Sequence, residues 1–387
     1  MAWKASCVMD ERVKFVARAL EGSESMTAVC ARFGVSRKTG YKWLTRYEAE
    51  GVEGLAERSR APHSHPATTP LPVREAVIAM KRHYPGEGPK KIRVLLMRRY
   101  PDQPWPAVST IGAILKQAGL VESRPRRQKA APSSQPLRHA TAPNDVWTAD
   151  FKGWFLTGDG RRCTPLTVSD AYSRYFLLCR GLVNGTGHTH VRPWFERMFR
   201  TYGLPHALRT DNGPPFASTG LAGLTPFAVW LMSLGINLER IEPGRPEQNG
   251  RHERLHRTLG KATLNPPART ARAQQQIFDA YLAYYNGERP HEALGQQTPA
   301  SYFVPSCRPY PTRLAKLPDY PDHWEPRKVR PNGNVKWNGA EIYLSAALSG
   351  HYIALERVDG GKCRVYFMAS VLGYYDPKTN RVRPAGR

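Results

Sequence analysis

The sequence predicts a multidomain protein of the α and α/β class, with helical units at the N-terminus, a mixed α/β region in the middle and a small β-barrel at the C-terminus. Its 387 residues exceed the usual size of a single domain. Two Pro/Ser/Arg-rich stretches, residues 58–72 and 122–143, have the composition of linkers. After Pro143 the chain changes to segments that alternate apolar and polar residues, which indicates strands.

The charge balance indicates a polyanionic partner. The chain has 57 Lys and Arg against 32 Asp and Glu, a net charge of +25, which favours nucleic acid or an anionic membrane. The longest apolar stretch, residues 224–236, is too short to span a bilayer and contains Thr225, Pro226 and Ser233. No signal peptide is evident, and the six cysteines form no CxxC pair, so we expect a cytoplasmic DNA-binding protein without a zinc ribbon or disulfide framework.

Residues 26–47, MTAVCARFGVSRKTGYKWLTRY, predict a helix-turn-helix. Two short helical patterns are separated by Gly34, and Ser36 is expected to cap the second helix. A recognition helix reads base edges with its N-terminal end. The residues predicted to contact DNA there are Arg37, Lys38, Thr39 and Lys42. The alternative is a helical hairpin with a charged face.

A second helical region is predicted over residues 73–120. It contains GPKKIRVLLMRRY and then VSTIGAILKQAGL, where Ser109 is the expected N-cap. This region is either a second DNA-contacting unit, of winged or helix-turn-helix type, or a packing module. The sequence pattern leaves both alternatives open.

The middle of the chain predicts a mixed α/β arrangement. DVWTADFKGWF, RCTPLTVSD and YSRYFLLCRGL are predicted to form three antiparallel strands, with a turn at residues 157–160. A helix closed by Gly203, the short strand HALRT and a helix over residues 226–234 follow. Toward the C-terminus, alternation with Asn-Gly and Gly-Gly turns predicts a small barrel of about five strands.

Three acidic residues of the middle region are candidates for catalysis. Asp150 lies within the first strand, and Asp211 directly follows HALRT, at the carboxyl end of a strand where α/β sheets bind ligands. Glu253 lies in GRPEQNGRHERLHRTLGKA, just inside a helix that begins after the turn at residues 246–250. Each also has an ordinary explanation, because a strand-end Asp often caps a turn and a first-turn Glu complements the helix dipole.

Two other acids compete with these candidates. Glu247 lies in the turn six residues before Glu253, and Asp170 lies in the hairpin SDAYSR, where pairing with Arg174 or capping is expected. On the helix that carries Glu253, Arg257 and Lys261 project on the same side and are candidate DNA-phosphate contacts. The alternative for them is a solvated face.

The rest of this helix has an apolar stripe and two histidines. The stripe is predicted to contain Leu255, Leu259 and Ala262. His252 and His256 are i,i+4 neighbours, but no cysteine or HExxH arrangement accompanies them, so zinc binding is not expected there.

The ordered pieces TADFKGWF, LRTDNGPPFAS and RPEQNGRHERLHRTL, followed by YYNGERPHEALGQQTPASYF, resemble the integrase core of retroviral integrases and of DDE-type bacterial insertion-sequence transposases. The resemblance covers about residues 143–305 and implies a ribonuclease-H-like fold with an Asp, Asp, Glu triad. The chain departs from the family pattern in a longer interval before the Glu, which GLAGLTPFAVWLMSLG is expected to fill as an insertion.

The resemblance implies roles for the triad. Asp150 would bridge two Mg²⁺ ions, for which Mn²⁺ would substitute, while Asp211 and Glu253 would each hold one ion. Carboxylates suit this role because Mg²⁺ prefers oxygen ligands and keeps several waters. Glu253 is favoured over Glu247 because it occupies the acid position after the Asn-Gly turn of the family pattern.

The resemblance also implies a function and a domain organisation. The expected function is that of a bacterial-type DNA transposase, nucleoid-associated when bound, that joins mobile-element ends to target DNA as at least a dimer. The alternatives are a non-catalytic DNA-binding regulator and a structure-specific nuclease. The expected domains are a helix-turn-helix domain (1–60), a second helical domain (72–121), a ribonuclease-H-like core (143–305) and a small β-barrel (325–380).

Overall fold

The computed structural model divides the chain into two compact units, Met1–Thr68 and Thr69–Arg387. The residues that the structure describes are 7–58, 68–121, 137, 139–242, 248, 250–314, 318–358 and 362–385. Both predicted linkers, residues 58–72 and 122–143, lie largely outside these ranges.

The described residues of the first unit form three α-helices and a 3-10 helix (Gly51–Leu55) around one apolar core. The α-helices are α1 (Val8–Leu20), α2 (Met26–Arg32) and α3 (Arg37–Glu50). Ser36 caps α3 as predicted, because its hydroxyl oxygen accepts a hydrogen bond from the backbone N–H of Thr39 (3.2 Å). Gly34, between α2 and α3, has φ +68°, a conformation that glycine adopts without strain. The two helices and the turn predicted over residues 26–47 are therefore confirmed.

The second unit begins with three helices that share a core including Val77, Ile92 and Ile111. They are α4 (Leu71–His83), α5 (Pro89–Arg99) and α6 (Val108–Gln117). The predicted cap at Ser109 is wrong, because α6 already begins at Val108 and Ala107 occupies the cap position without a side-chain hydrogen bond.

A six-stranded mixed sheet follows. Its strands are β1 (Val146–Phe151), β2 (Phe155–Leu156), β3 (Arg162–Asp170), β4 (Phe176–Leu182), β5 (Ala207–Thr210) and β6 (Asn237–Arg240). Strand β3 pairs antiparallel with β1, β2 and β4, whereas β5 pairs parallel with β1 and β6. The first predicted strand is split into β1 and β2 at a turn that includes Gly153, whose φ is +90°.

Helices cover both faces of this sheet. They are α7 (His188–Tyr202), α8 (Pro226–Ser233), α9 (Gly250–Thr263) and α10 (Ala271–Gly287). The consecutive β4 residues Phe176 and Leu177 point to opposite faces and belong to different core clusters. Leu177 joins the cluster of α7 and α8, and Phe176 joins that of α9 and α10.

The expectation that GLAGLTPFAVWLMSLG is an insertion is wrong. This segment contains α8, which connects the parallel strands β5 and β6. Parallel strands require such a crossover connection. Phe227, Trp230 and Leu231 of α8 are buried in the same core as β1, so the segment belongs to the fold itself.

The second helical region packs against the end of α10 through a buried ion pair. Glu87, in the loop between α4 and α5, accepts a hydrogen bond from Arg289 Nε (2.7 Å) and pairs with Lys91 Nζ (2.9 Å). Burial raises the pKa of the Glu87 carboxyl, but Arg289 and Lys91 outweigh it and hold that pKa below its ordinary value. Tyr84 stacks on Tyr284 of α10, with 4.8 Å between ring centroids.

Replacing Glu87 with Gln is expected to destabilise the second unit by about 3–5 kcal/mol, because Arg289 and Lys91 would keep buried charge without a carboxylate. The pKa of Glu87 lies below its ordinary value of 4.5, so this stabilisation is present above that pH and is lost as the pH falls. Denaturant unfolding from pH 7 to well below pH 4.5 measures both effects, because the stabilisation is lost only as the pH falls through the lowered pKa of Glu87. Lys90→Gln, which breaks the exposed pair with Glu292, should cost at most about 1 kcal/mol. An equal loss of unfolding free energy in Glu87→Gln and Lys90→Gln would contradict the prediction.

The described residues of the C-terminal region form seven strands, but a closed barrel is not confirmed. They are β7 (Glu325–Lys328), β8 (Asn334–Trp337), β9 (Ala340–Tyr343), β10 (Tyr352–Arg357), β11 (Cys363–Phe367), β12 (Ser370–Asp376) and β13 (Arg381–Pro384). Five form an antiparallel sheet in the order β13-β12-β11-β10-β7, and β8 pairs only with β9 among the described residues. Closure requires the two edge strands to pair, and in the described part of the chain β13 and β7 do not.

In the part of the chain that the structure describes, no helix is both long and apolar enough to cross a membrane.

Candidate active site

Asp150 and Asp211 lie side by side at the ends of two parallel strands. Asp150 is near the carboxyl end of β1, and Asp211 follows the last residue of β5. The β1–β5 register pairs Thr148 with Arg209, and its continuation brings Asp150 level with Asp211. The pairing of β1 with β5 therefore brings together two acids that are distant in sequence. They meet at the edge of the sheet where the sequence predicts a site.

The electrostatics of Asp150 show that the three predicted acids interact. The pKa of Asp150 is raised to about 7, chiefly by burial and then by the negative charges of Asp211 and Glu253. A hydrogen bond from the backbone of Phe151 acts in the opposite direction. The Oδ1 atom of Asp211 is buried and has no hydrogen-bond partner among the described residues. Adjacent carboxylates of which one has a raised pKa are a common feature of functional sites.

Glu253 lies in the first turn of α9 and is exposed. Helix α9 buries its opposite face against the sheet through His252, Leu255, Leu259 and Thr263. The apolar stripe was therefore predicted correctly for Leu255 and Leu259 but wrongly for Ala262, which is exposed because the i+4 step from Leu259 leads to Thr263. Glu247 lies outside the described residues.

No group of three or more His, Cys, Asp or Glu side chains within the described ranges is arranged to hold a metal ion. The charges of Asp150, Asp211 and Glu253 are close enough to influence one another, but their donor atoms do not already form such a group. Glu253 is the exposed member, and its three rotatable side-chain bonds give its carboxylate the greatest reach.

His252 and His256 take part in a buried hydrogen-bond network, and sequence reasoning did not identify this role. His252 bonds to the hydroxyls of Thr148 and Thr167 at 2.9 and 2.6 Å. His256 Nε2 lies 2.7 Å from Thr167 Oγ1, and its Nδ1 lies 4.0 Å from Asp150 Oδ2. Burial lowers the pKa of His256 to about 4 and that of His252 well below its ordinary value, so both rings are neutral at pH 7. The detectable signal was the spacing of the histidines with Leu255 and Leu259 on one helical face.

Asp170 has a structural role, as the sequence predicts. Its carboxylate accepts hydrogen bonds from the backbone N–H of Asn144 (2.8 Å) and from the N–H and hydroxyl of Ser173 (2.7 and 2.6 Å). These bonds close the β3–β4 hairpin. Of the two predicted alternatives, capping is therefore the one observed.

The predicted DNA contacts occupy exposed helix faces. Arg37, Lys38 and Lys42 are exposed on α3, and Lys42 Nζ lies 4.2 Å from the centre of the Trp43 ring. Thr39 is half-buried, and its hydroxyl lies 2.9 Å from that of Ser36, so it takes part in the cap. On α9, Arg257 and Lys261 are both exposed on the side of Glu253.

Family models match both parts of the chain. A model described as "Integrase core domain" matches residues 140–246, and a second one of the same description matches residues 234–299. A "Helix-turn-helix domain" model matches residues 11–63, and a "Homeodomain-like domain" model matches residues 39–115.

Curated relatives include proteins of insertion elements. The chain is 29% identical over 275 residues to the IS476 uncharacterized 39.2 kDa protein of Xanthomonas euvesicatoria, covering 70% of this chain and 76% of that protein. It is 32% identical over 193 residues to the IS407 uncharacterized 31.7 kDa protein of Burkholderia multivorans, covering 49% and 66%. It is also 23% identical over 334 residues to the transposase of transposon Tn552 of Staphylococcus aureus, covering 76% and 67%.

Solved structures with detectable similarity include retroviral integrases. The HTLV-2 integrase catalytic core domain in complex with magnesium is 17% identical, with a TM-score of 0.34, covering 43% of this chain and all of that one. The simian T-cell lymphotropic virus intasome, in complex with a PP2A regulatory subunit, is 17% identical, with a TM-score of 0.37, covering 78% and 99%.

The helix-turn-helix unit and the integrase core define a DNA-binding protein of the polynucleotidyl transferase type. Within that class, the chain belongs to the insertion-sequence transposases that have an integrase-like catalytic core.

Proposed function

We propose that the protein is a DDE-type transposase that binds the ends of its mobile element and catalyses metal-dependent strand cleavage and strand transfer at Asp150, Asp211 and Glu253. The observation that carries this proposal is the β1–β5 register, which brings Asp150 level with Asp211 at the edge of the sheet; the charges of Asp211 and Glu253 add to burial in raising the pKa of Asp150. A non-catalytic regulator would have no need for three carboxylates whose charges act on one another.

The residues present fit divalent metal ions. All three are carboxylates, and the buried Oδ1 atom of Asp211, which has no hydrogen-bond partner in the described part of the chain, is a suitable donor for a cation. In the proposed arrangement Asp150 would serve both of two ions, and Asp211 and Glu253 would each hold one, with Mg²⁺ as the natural ion and Mn²⁺ as a substitute. When bound, two such ions would activate the attacking hydroxyl and stabilise the leaving oxygen of the phosphodiester.

The chain's own residues position the DNA. Strands β1 and β5 hold Asp150 and Asp211 rigidly, while Arg257 and Lys261 on α9 contact phosphates next to Glu253. In cleavage, the oxygen of water forms a bond to phosphorus and loses a proton, while the P–O3′ bond breaks and the leaving 3′-oxygen takes up a proton to become a 3′-hydroxyl. In strand transfer, this 3′-hydroxyl attacks a target phosphodiester, so one bond forms as one breaks and no covalent protein–DNA intermediate is needed.

The proposed partners are double-stranded DNA, both element ends and target, and further copies of the chain. Joining two ends in one event requires at least two protomers. Residues 1–60 would recognise the end, residues 143–305 would carry the chemistry, and residues 72–121 and 325–380 would support assembly on DNA.

The test is an assay of the purified protein with labelled element ends, Mg²⁺ and a target plasmid. Joined products support a transposase, whereas cleavage without joining would indicate a structure-specific nuclease. Binding without any chemistry, in Mg²⁺ and in Mn²⁺, would indicate a regulator.

The exposed cations of α3 give a prediction about end recognition. Changing Arg37, Lys38 or Lys42 to Ala should weaken binding to the element end by about 1–3 kcal/mol for each side chain that reads a base, with a smaller effect on random DNA. Lys14→Ala on α1 is a matched control, because Lys14 is exposed but paired with Glu11 (2.8 Å). Competition binding at fixed salt measures the difference. An equal reduction on both DNAs would show that these side chains bind phosphates only.

A further inference from the structure

The polar network beneath α9 connects the helix that carries Glu253 to the strand that carries Asp150. Thr167 Oγ1, at the centre, lies 2.6 Å from His252 Nε2, 2.7 Å from His256 Nε2 and 3.0 Å from the backbone oxygen of Asp150. His252 is almost fully buried, with 1% of its surface exposed. Thr148 Oγ1 lies 2.9 Å from His252 Nδ1 and completes the network on β1.

The hydroxyl of Thr167 has one proton and three neighbours, which limits how the network can be arranged. If it donates to the Asp150 backbone oxygen, both imidazoles must donate from Nε2, and the lone pair of His256 Nδ1 faces the Asp150 carboxylate. If it donates to His256 Nε2, the proton of that ring is on Nδ1 and points at Asp150 Oδ2.

The second arrangement also satisfies the rest of the network. His252 then donates from Nε2 to Thr167, and its Nδ1 accepts the one proton of the Thr148 hydroxyl. That hydroxyl also lies 3.2 Å from Ser169 O and 2.9 Å from Ser169 Oγ, and in this arrangement it accepts from the Ser169 hydroxyl. The backbone of Asp150 does not depend on the Thr167 hydroxyl, because these two residues already pair in the β1–β3 ladder. In the first arrangement two hydrogen-bond acceptors, His256 Nδ1 and the Asp150 carboxylate, face each other. An ionised Asp150 therefore favours the second arrangement.

We propose that His256 is a positioning residue that holds the Asp150 carboxylate in its metal-binding orientation through Nδ1–H, while Thr167 fixes the imidazole ring through Nε2. The contact with Asp150 Oδ2, at 4.0 Å, is electrostatic rather than a hydrogen bond. His256 and Glu253 are three residues apart on α9, so the same network fixes the helix turn that carries Glu253. The proposal rests on the proposed metal role of Asp150.

Two amide variants separate the two ring nitrogens. The amide group of Asn occupies the place of Nδ1, and that of Gln reaches the place of Nε2. His256→Asn therefore keeps a donor toward Asp150 and loses the bond to Thr167, whereas His256→Gln keeps the bond to Thr167 and loses that donor. If His256 has a purely structural role, Gln should preserve Mn²⁺ binding better than Asn does. If His256 is a positioning residue, Asn should preserve it better.

The primary measurement is Mn²⁺ binding to the full-length protein, followed by the electron paramagnetic resonance signal of free Mn²⁺. His256→Gln should weaken binding at least about tenfold, as is typical when a group behind a metal ligand is removed, and His256→Asn should stay closer to wild type. Asp150→Asn serves as the control for removal of a ligand, and thermal unfolding verifies that each variant is folded.

A Gln variant that binds Mn²⁺ as well as wild type, or better than the Asn variant, would overturn the proposal. So would the absence of Mn²⁺ binding by wild type. Strand joining is measured in parallel. If wild type binds Mn²⁺ with the expected order of variants but joins no DNA, the proposed function fails and the positioning role stands. If wild type joins DNA while both variants bind Mn²⁺ equally, the positioning role alone fails.

Discussion

Asp150→Asn and Asp211→Asn are each expected to lower strand cleavage and joining by about a thousandfold or more while binding to the element end persists. Each substitution keeps the shape of the side chain and removes one anionic ligand. Loss of several kcal/mol of transition-state stabilisation corresponds to an effect of this size. Single-turnover assays on labelled ends, with binding measured separately by gel shift, would record both quantities.

Asp279→Asn is a suitable control, because Asp279 is exposed on α10 and its carboxylate accepts a hydrogen bond from Gln275 of the same helix. This variant should retain near-normal joining. Ca²⁺ should support assembly on DNA better than chemistry, because it is larger and looser in its coordination geometry than Mg²⁺. Near-normal joining by either Asp150→Asn or Asp211→Asn would remove that residue from the proposed triad.

Local chemistry made several elements predictable. Ser36 caps α3 because the hydroxyl of a serine before a helix satisfies an N–H that the helix itself leaves free. The first turn of α9 contains Glu253 because the turn-forming residues before it end at Gly250, where the helix begins. Both features depend on residues a few positions apart, which a sequence pattern records directly.

Other features depend on partners that are distant in the chain. Helix α8 looked like an insertion, and only the parallel pairing of β5 with β6 gives it a place as their crossover. Ser109 has the right chemistry for a cap, yet α6 begins at Val108, one residue before it. Boundaries of this kind shift by a residue or two with tertiary packing.

The candidate site divides in the same way. Asp150 and Asp211 could be chosen from the sequence because strand ends in an α/β sheet gather ligands. The raised pKa of Asp150 could not be predicted from the sequence, because it arises from burial and from charges that are 61 and 103 positions away in the chain. The sequence pattern of the α9 histidines raises only the question of zinc binding, because the hydroxyls of Thr148 and Thr167 that hold them lie on strands far away in sequence.

The third carboxylate gives the prediction that most sharply tests the proposed triad. Glu253→Gln should eliminate metal-dependent cleavage and joining to about the same extent as the two aspartate variants, because it removes an anionic ligand from a helix that packs on the sheet. Glu247→Gln should lose at most a modest part of the activity. Glu247 lies six residues before Glu253, which occupies the acid position after the Asn-Gly turn of the family pattern.

Arg257→Ala should behave differently from both glutamate variants, Glu253→Gln and Glu247→Gln. Arg257 is exposed one turn after Glu253, and removal of a phosphate-binding side chain there should weaken engagement of the DNA end and lower its salt dependence by about one unit of slope. A single-turnover strand-transfer assay of the three variants at matched DNA occupancy separates the removal of a ligand from weaker DNA binding. Since matched occupancy removes the binding defect, Arg257→Ala should then approach wild-type rates and Glu253→Gln should not. An active Glu253→Gln protein beside an inactive Glu247→Gln protein would assign the third carboxylate to Glu247 instead.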